Sequence, residues 1–428
     1  MQILIKNGRV IDPANNIDEQ LSILIEDSKI NTVSKNIKPS SGAKIIDAAG
    51  KVVVPGLIDM HVHLREPGYE YKETIHTGTK AGAFGGFTSI ACMPNTNPVI
   101  DNQGIVEFVI SKAKKEGLIN VFPIGCITKG QKGEELAEIG ELVSSGVVAV
   151  SDDGEPVMNP AIMKAVLEYT KMYNIPVISH AEDKKLSQNG CMNEGFTSTR
   201  LGIKGIPKIA EEIMISRDIF IAEYTSGRLH FAHVSTKNSV ELIRQAKKKG
   251  IKVTAEAAPH NFTLTDECLK GYNTNFKMNP PLRDKNDVEA IKEGLSDGTI
   301  DAIASDHAPH NIASKDIEFD LASFGIIGLE TSLSISLQLV HEKVLSLPEL
   351  IKRMSCNPSK ILNLDKGTLS PSRDADITII DIDKEFTVDI NTFQSKSRNS
   401  PFHEWKFKGK TWMTIVGGKI VYEEDNIS

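Results

Sequence analysis

Between residues 55 and 365, short apolar runs alternate with longer helix-like stretches, and this alternation restricts the fold more than anything else in the chain. The runs are Thr88–Ala91, Val121–Ile124, Val147–Val150, Val177–Ser179, Leu229–His233, Val253–Ala257 and Ala302–Ser305, and the stretch leading into His61 makes an eighth. Between most of them lie segments with helical spacing: Ile105–Glu116, Ile162–Tyr173, Ile209–Tyr224 and Val240–Lys249. Strand followed by helix, repeated at this interval, builds a parallel sheet with helical crossovers. Eight units over this length fit a closed (β/α)8 barrel of the TIM type, with an open doubly wound sheet as the rival.

The two ends of the chain read differently. Ile3–Ile5 precede Asn7-Gly8, a hairpin signal. Ile23–Ile25, Ile30–Val33 and Val52–Val54 continue a strand-and-turn pattern that stops at Pro55-Gly56. The tail repeats it with Ile377–Ile380, Trp412–Val416 and Ile420–Tyr422. A chain of 428 residues exceeds the roughly 250–300 that one core sustains, so a second domain is expected. Chain termini often lie together. The expected division is 1–54 and 366–428 as two parts of one small β domain around a 55–365 barrel.

Several classes of function fall away on composition. The net charge of −7 and the lack of a basic patch argue against a nucleic-acid partner. Five scattered cysteines, an odd number with no CxxC pair, argue for a reducing compartment. The start MQILIKNGRVID has too short an apolar run for a signal peptide, and no run approaches the roughly 20 residues of a membrane span. A cytoplasmic protein with no membrane partner is the expectation.

Catalytic residues of a barrel sit where its strands end. Here Leu57-Ile58 runs into Asp59-Met60-His61-Val62-His63, and Val147–Val150 into Ser151-Asp152-Asp153. Val177–Ser179 ends at His180, Leu229–Ala232 at His233, and Ile303–Ser305 at Asp306-His307. On a strand, His61 and His63 face the same way. A lone histidine is more often an ordinary half-buried residue, and only the repeated placement of His and Asp at strand ends makes a ligand set. Six nitrogen and oxygen ligands exceed one tetrahedral zinc but suit a pair of ions sharing a carboxylate. Asp153 is the expected shared ligand and Asp152 the alternative. His307 and His260 read as residues packed behind the ligands, and His76, His341 and His403 have no ligand context.

These residues lie in motifs with a family likeness. PGLIDMHVHLREPG (55–68), GGFTSIACMPNTNPV (85–99), KMNPPLR (277–283), ASDHAPH (304–310) and FGIIGLE (324–330) resemble those of dihydroorotases in the amidohydrolase superfamily. The likeness extends to KNGRVID (6–12), DADITIID (374–381) and VGGKIVY (416–422). It implies a distorted TIM barrel with a small β-sandwich made by both termini. It also implies metal ligands at His61, His63, Asp153, His180, His233 and Asp306, with two Zn2+ per chain. Substrate contacts are implied at His63, Arg65, Asn95, Asn279, His310 and the backbone of Phe324 and Gly325. Hydantoinases, allantoinases and another dihydroorotase class bridge their metals with a carboxylated lysine, and the strand Gly146–Asp153 has none. This chain resembles the class with an aspartate bridge. It departs from the pattern at Asn261, where relatives often carry histidine, and at Ser372, where glycine is common.

The activity implied by the likeness is reversible hydrolysis of (S)-dihydroorotate to N-carbamoyl-L-aspartate in de novo pyrimidine (UMP) biosynthesis. A metal-bridged hydroxide would attack the ring amide, and Asp306 would serve as ligand and proton carrier. Arg65 would pair its guanidinium with the substrate carboxylate, helped by Asn95 and His310. The glycine-bordered segment Phe324–Gly328 would act as a lid. A homodimer and association with aspartate transcarbamoylase are further expectations. The rivals are another cyclic-amide hydrolase, such as a hydantoinase or allantoinase, and a non-catalytic homologue scaffolding aspartate transcarbamoylase.

Overall fold

The computed structural model describes residues 2–424. The amino-terminal part lays down β1 (Gln2–Asp12), β2 (Ile17–Glu26), β3 (Lys29–Ser34), β4 (Lys44–Asp47) and β5 (Val52–Pro55). The Asn7-Gly8 pair is not a hairpin turn. Strand β1 runs straight through it, and the register against β2 shifts there by a bulge. Asn7 takes a left-handed φ of 64°, and a Cβ on Gly8 would lie 2.6 Å from Val53. Left-handed geometry at an Asn-Gly pair serves a bulge as well as a turn. The reversal comes later, where the Asp12 carboxylate accepts a hydrogen bond from the Ala14 amide (3.1 Å).

The barrel begins with β6 (Leu57–Val62), β7 (Phe87–Cys92), β8 (Asn120–Gly125), β9 (Ala149–Ser151) and β10 (Val177–Ser179). A two-stranded excursion, β11 (Met192–Asn193) and β12 (Gly205–Ile206), precedes β13 (Leu229–Phe231), β14 (Val253–Ala257) and β15 (Ala302–Ile303). The eight barrel strands form one sheet in sequence order, β6 to β15, each pair parallel. Helices cover its outside. That over Lys237–Lys248 starts where the Thr236 hydroxyl accepts the Ser239 amide, and that over Lys285–Asp297 stops at Gly298 with φ 86°. Inside, Met60, Ala91, Ile124, Ala149, Ile178 and Ala302 pack together, with Ile361 and Leu362 as the floor. One end of the barrel is therefore plugged by apolar side chains, which leaves the other for polar chemistry.

No ladder joins β15 back to β6. Side-chain and loop contacts close that seam. The Asp59 carboxylate accepts the amides of His61 (3.1 Å) and Ser305 (3.1 and 3.2 Å), and the His63 amide donates to the His307 carbonyl (2.9 Å). The seam lies between His61 and Asp306, two of the expected ligands.

After the barrel, β16 (Ile377–Thr387), β17 (Lys406–Val416) and β18 (Lys419–Glu423) join β1–β5 in one eight-stranded sheet, with β16 against β5. Lys29 bridges Asp374, and the Ile30 amide donates to the Arg373 carbonyl (2.9 Å). The sheet thereby curls around a core of Ile3, Ile5, Val10, Ile23, Val53, Ile377, Met413 and Ile415. Ser372 sits beside this contact at φ 70°, a backbone conformation that favours glycine. The segment between β16 and β17 leaves the sheet and runs to the barrel rim, where the Ser395 hydroxyl and the Lys396 amide reach the Glu73 carboxylate.

Candidate active site

The expected ligands converge at the open end of the barrel. His61 Nε2 lies 3.4 Å from Asp153 Oδ1 and 3.5 Å from Asp306 Oδ1. His63 Nε2 lies 3.5 Å from Asp153 Oδ2 and 3.4 Å from Asp306 Oδ1. His180 Nδ1 and His233 Nε2 are 2.8 Å apart, at 3.7 and 3.6 Å from Asp153 Oδ1. All six residues are buried. Asp153 touches four histidines, whereas Asp152 turns away to accept the amides of Ile127 (2.8 Å) and Thr128 (3.1 Å). His233 and Asp306 adopt φ of 33° and 49°, backbone conformations that a side chain rarely takes without a local reason.

Several of these atoms lack the partner that burial demands. His61 Nε2, Asp153 Oδ1 and Asp306 Oδ2 are buried with no hydrogen bond. Three overlapping trios have ligand atoms within 4.8 Å of one another: His61, His233 and Asp306; His61, His63 and Asp153; and Asp153, His180 and His233. Imidazole nitrogens and carboxylate oxygens in such a cluster, left unsatisfied by protein, fit a divalent cation.

A second ring of side chains fixes the first. Glu256 on β14 accepts from His61 Nδ1 (2.6 Å) and contacts His230 Nε2 (3.2 Å), and His230 Nδ1 reaches the Thr254 hydroxyl (2.8 Å). Asn95 Oδ1 meets His63 Nδ1 (2.8 Å), and Glu182 Oε2 meets His180 Nε2 (3.0 Å). Each contact leaves the opposite ring nitrogen turned toward the cluster. Glu256, His230, Asp59 and Glu182 are absent from the sequence-derived site. A charged residue inside the apolar run Val253–Ala257 was the available signal for Glu256.

A cavity of about 780 Å³ opens over the cluster, and its lining includes His63, Arg65, Asn95, Asn279, His310, Phe324 and Gly325. Arg65 Nε donates to the Pro309 carbonyl (3.3 Å), and burial pulls its pKa down to about 10. Burial, reinforced by the Arg65 charge, pushes His310 down to about 2, so its ring is neutral, and its Nδ1 has no partner. Asn279 donates to Glu182 (3.1 Å). The Phe324–Gly328 segment is not a free lid. Asn399, arriving from between β16 and β17, donates to the Ala308 and Gly325 carbonyls (3.0 Å each) and accepts the His310 amide (3.0 Å).

The remaining histidines lie apart from the cluster or behind it. His307 Nδ1 accepts the Gly328 and Leu329 amides and its Nε2 meets Glu73 (3.3 Å). Burial lowers the pKa of His260 to about 4. His76 and His341 hydrogen-bond the backbone carbonyls of Glu116 and Lys408. His403 is exposed, and Asn261 accepts the Ala258 amide (2.9 Å).

Known proteins with this arrangement are similar along the whole chain. The family described as "Dihydro-orotase-like" matches residues 50–239. A protein named Dihydroorotase from Geobacter metallireducens is 59% identical over 423 residues, covering 99% of this chain and 100% of that protein. Another of that name from Acetivibrio thermocellus is 56% identical, covering 99% of each. Among solved structures, the L-hydantoinase (dihydropyrimidinase) of Arthrobacter aurescens superposes with a TM-score of 0.90 at 26% identity, covering 99% of this chain and 96% of that one. The dihydropyrimidinase of Brevibacillus agri has the same fold (TM-score 0.86, 23% identity, 99% and 95% covered).

Proposed function

The chain belongs to the dihydroorotase family, and from that premise we propose that its cluster holds two zinc ions and hydrolyses (S)-dihydroorotate reversibly to N-carbamoyl-L-aspartate, a step of de novo pyrimidine biosynthesis. The carrying observation is the set of three buried donor atoms, on His61, Asp153 and Asp306, that no protein group satisfies. His61, His63 and Asp306 would hold one ion, His180 and His233 the other, and Asp153 would serve both. Zinc in such a pair supplies an activated water and a Lewis acid at neutral pH.

The chain's own residues do the rest. Asp306 Oδ2 is free to take a proton from the attacking water and return it to the ring nitrogen that leaves. Asp59 holds the backbone on both sides of the seam and so fixes His61 relative to Asp306. Arg65 stays charged on the cavity wall and matches a carboxylate in a two-point geometry. His310, neutral, offers a hydrogen bond without adding charge. Asn95, Asn279 and the Phe324–Gly325 backbone would contact the ring.

The hydantoinase reading has structural kinship at 26% identity behind it, against 56–59% for proteins named Dihydroorotase. The strand Gly146–Asp153 carries no lysine to bridge metals. A scaffold without activity would have no use for six retained donors. The same reading places the enzyme in the cytoplasm as a homodimer able to associate with aspartate transcarbamoylase, and sedimentation of the protein alone and mixed with that enzyme tests both assemblies. Turnover of dihydroorotate and of hydantoin, with zinc content measured on the same sample, tests the function. Dihydroorotate is expected to be the better substrate at two zinc per chain, and faster turnover of hydantoin would reverse the assignment.

A further inference from the structure

Two lysines lie buried beside the cavity and form no direct salt bridge among the described residues, with Cys191 and the Asp320 carboxylate as the groups that favour the charge on Lys277. Lys277 is 2% exposed and Lys315 4%. Lys277 Nζ donates to the carbonyls of Phe319 (2.8 Å) and Asp320 (2.9 Å), and stands 4.6 Å from the Phe324 ring centre and 5.5 Å from that of Phe319. Lys315 Nζ donates to the carbonyls of Ser323 (2.8 Å) and Gly325 (3.1 Å). All four acceptors belong to residues 319–325, and Asp320, Phe324 and Gly325 of that stretch line the cavity.

Burying an ammonium group without a direct ion pair costs several kcal/mol, and an apolar side chain of the same length would fill the space more cheaply. The cost falls most visibly on Lys315, whose pKa burial and then the Lys277 charge pull down to about 7. What the two side chains do is hold an irregular stretch of backbone by its carbonyls. The stretch needs holding in one place. A Cβ on Gly325 would lie 2.6 Å from the Ala308 carbonyl oxygen and 2.7 Å from the His310 ring, so this backbone is pressed against His310 on the cavity wall.

We propose that Lys277 and Lys315 are positioning residues that clamp the cavity wall at 319–325 against His310, and so set affinity for the anionic substrate rather than the rate of the chemical step. The proposal rests on the cavity being the dihydroorotate site. A wall that contacts substrate and transition state alike affects KM and leaves kcat in place.

The test uses the zinc-loaded full chain and the variants Lys277→Met and Lys315→Met, with dihydroorotate as substrate. Each variant is expected to raise KM about tenfold or more while kcat stays within about threefold of the parent, at unchanged zinc content. Amide hydrogen exchange should speed up in peptides covering 319–325 and not in the helix over Lys237–Lys248. An unchanged KM, a loss confined to kcat, or faster exchange throughout the molecule overturns the clamp. If Lys277→Met does not fold, Lys315→Met carries both readouts, and failure of both to fold makes the lysines structural and ends the proposal. The parent enzyme is the control: no turnover there overturns the substrate assignment, whereas normal turnover with indifferent variants overturns only the clamp.

Discussion

Asp306 is asked to do two things with one carboxyl group, ligation through one oxygen and proton transfer through the other. Asp306→Asn keeps the shape and removes the proton acceptor, so kcat should fall by at least about 10²-fold; near-normal steady-state turnover would dismiss the assignment. Arg65→Met should raise KM for dihydroorotate far more than for an uncharged cyclic amide, measured side by side. Lys315 carries a pH signature. Its pKa falls from 10.5 to about 7 in the folded chain, with Lys277 and the neutral His310 as the titratable groups facing it. Between those values the unfolded chain binds the additional proton, so this residue's contribution makes stability rise with pH from about 7 to about 10.5. The change in urea midpoint from about pH 7 to about pH 10.5 should be more positive in the parent than in Lys315→Met. At this scale the convergence of the six proposed ligands was legible because each comes after an apolar run and ends a strand. The two lysines were not, since lysine ordinarily reads as surface and nothing local marks one as buried.

Strand β14 supplies the best test of an element. It lends no ligand, yet its Glu256 orients His61 from behind and shares its other oxygen with His230 on β13. Glu256→Gln should weaken zinc binding about 10–100-fold, read by competition with a chromogenic chelator; unchanged affinity would show that His61 is oriented without it. The eight strands themselves were readable because parallel strands buried on both faces are written as near-continuous apolar runs. Asn7-Gly8 misled because its left-handed geometry is shared by turns and bulges, and only the partner strand decides between them. The contacts that hold Phe324–Gly328 were hidden for a different reason. The residues that pin that segment, Lys315 and Asn399, come from elsewhere in the chain, and local sequence holds no trace of a contact to Asn399.

At the scale of the whole molecule, a metal held by the cluster would couple to stability. Six donors drawn from five strand ends are held together against their own repulsion and burial, and the unfolded chain offers no such site. Zinc at 100 times its dissociation constant should therefore add about 2.7 kcal/mol per site, seen as a higher Tm for the loaded protein than for the chelated one in the same buffer. An unchanged Tm would mean that the cluster does not bind the ion. Strands β1–β5 and the strands after 376 share one sheet, an arrangement suggested by matching strand-and-turn patterns at both ends. That the chain returns to the barrel rim between those strands was not legible, because its polar contacts there are made one residue at a time.

That return has a bearing on what a shortened chain would keep. Asn399 secures the His310 amide and the Gly325 carbonyl at the mouth of the barrel. A chain cut before residue 399 would carry all eight barrel strands and the six proposed donors, and would lack these hydrogen bonds. What it would lose is the fastening that shapes the cavity above the cluster, one polar side chain reaching three backbone groups.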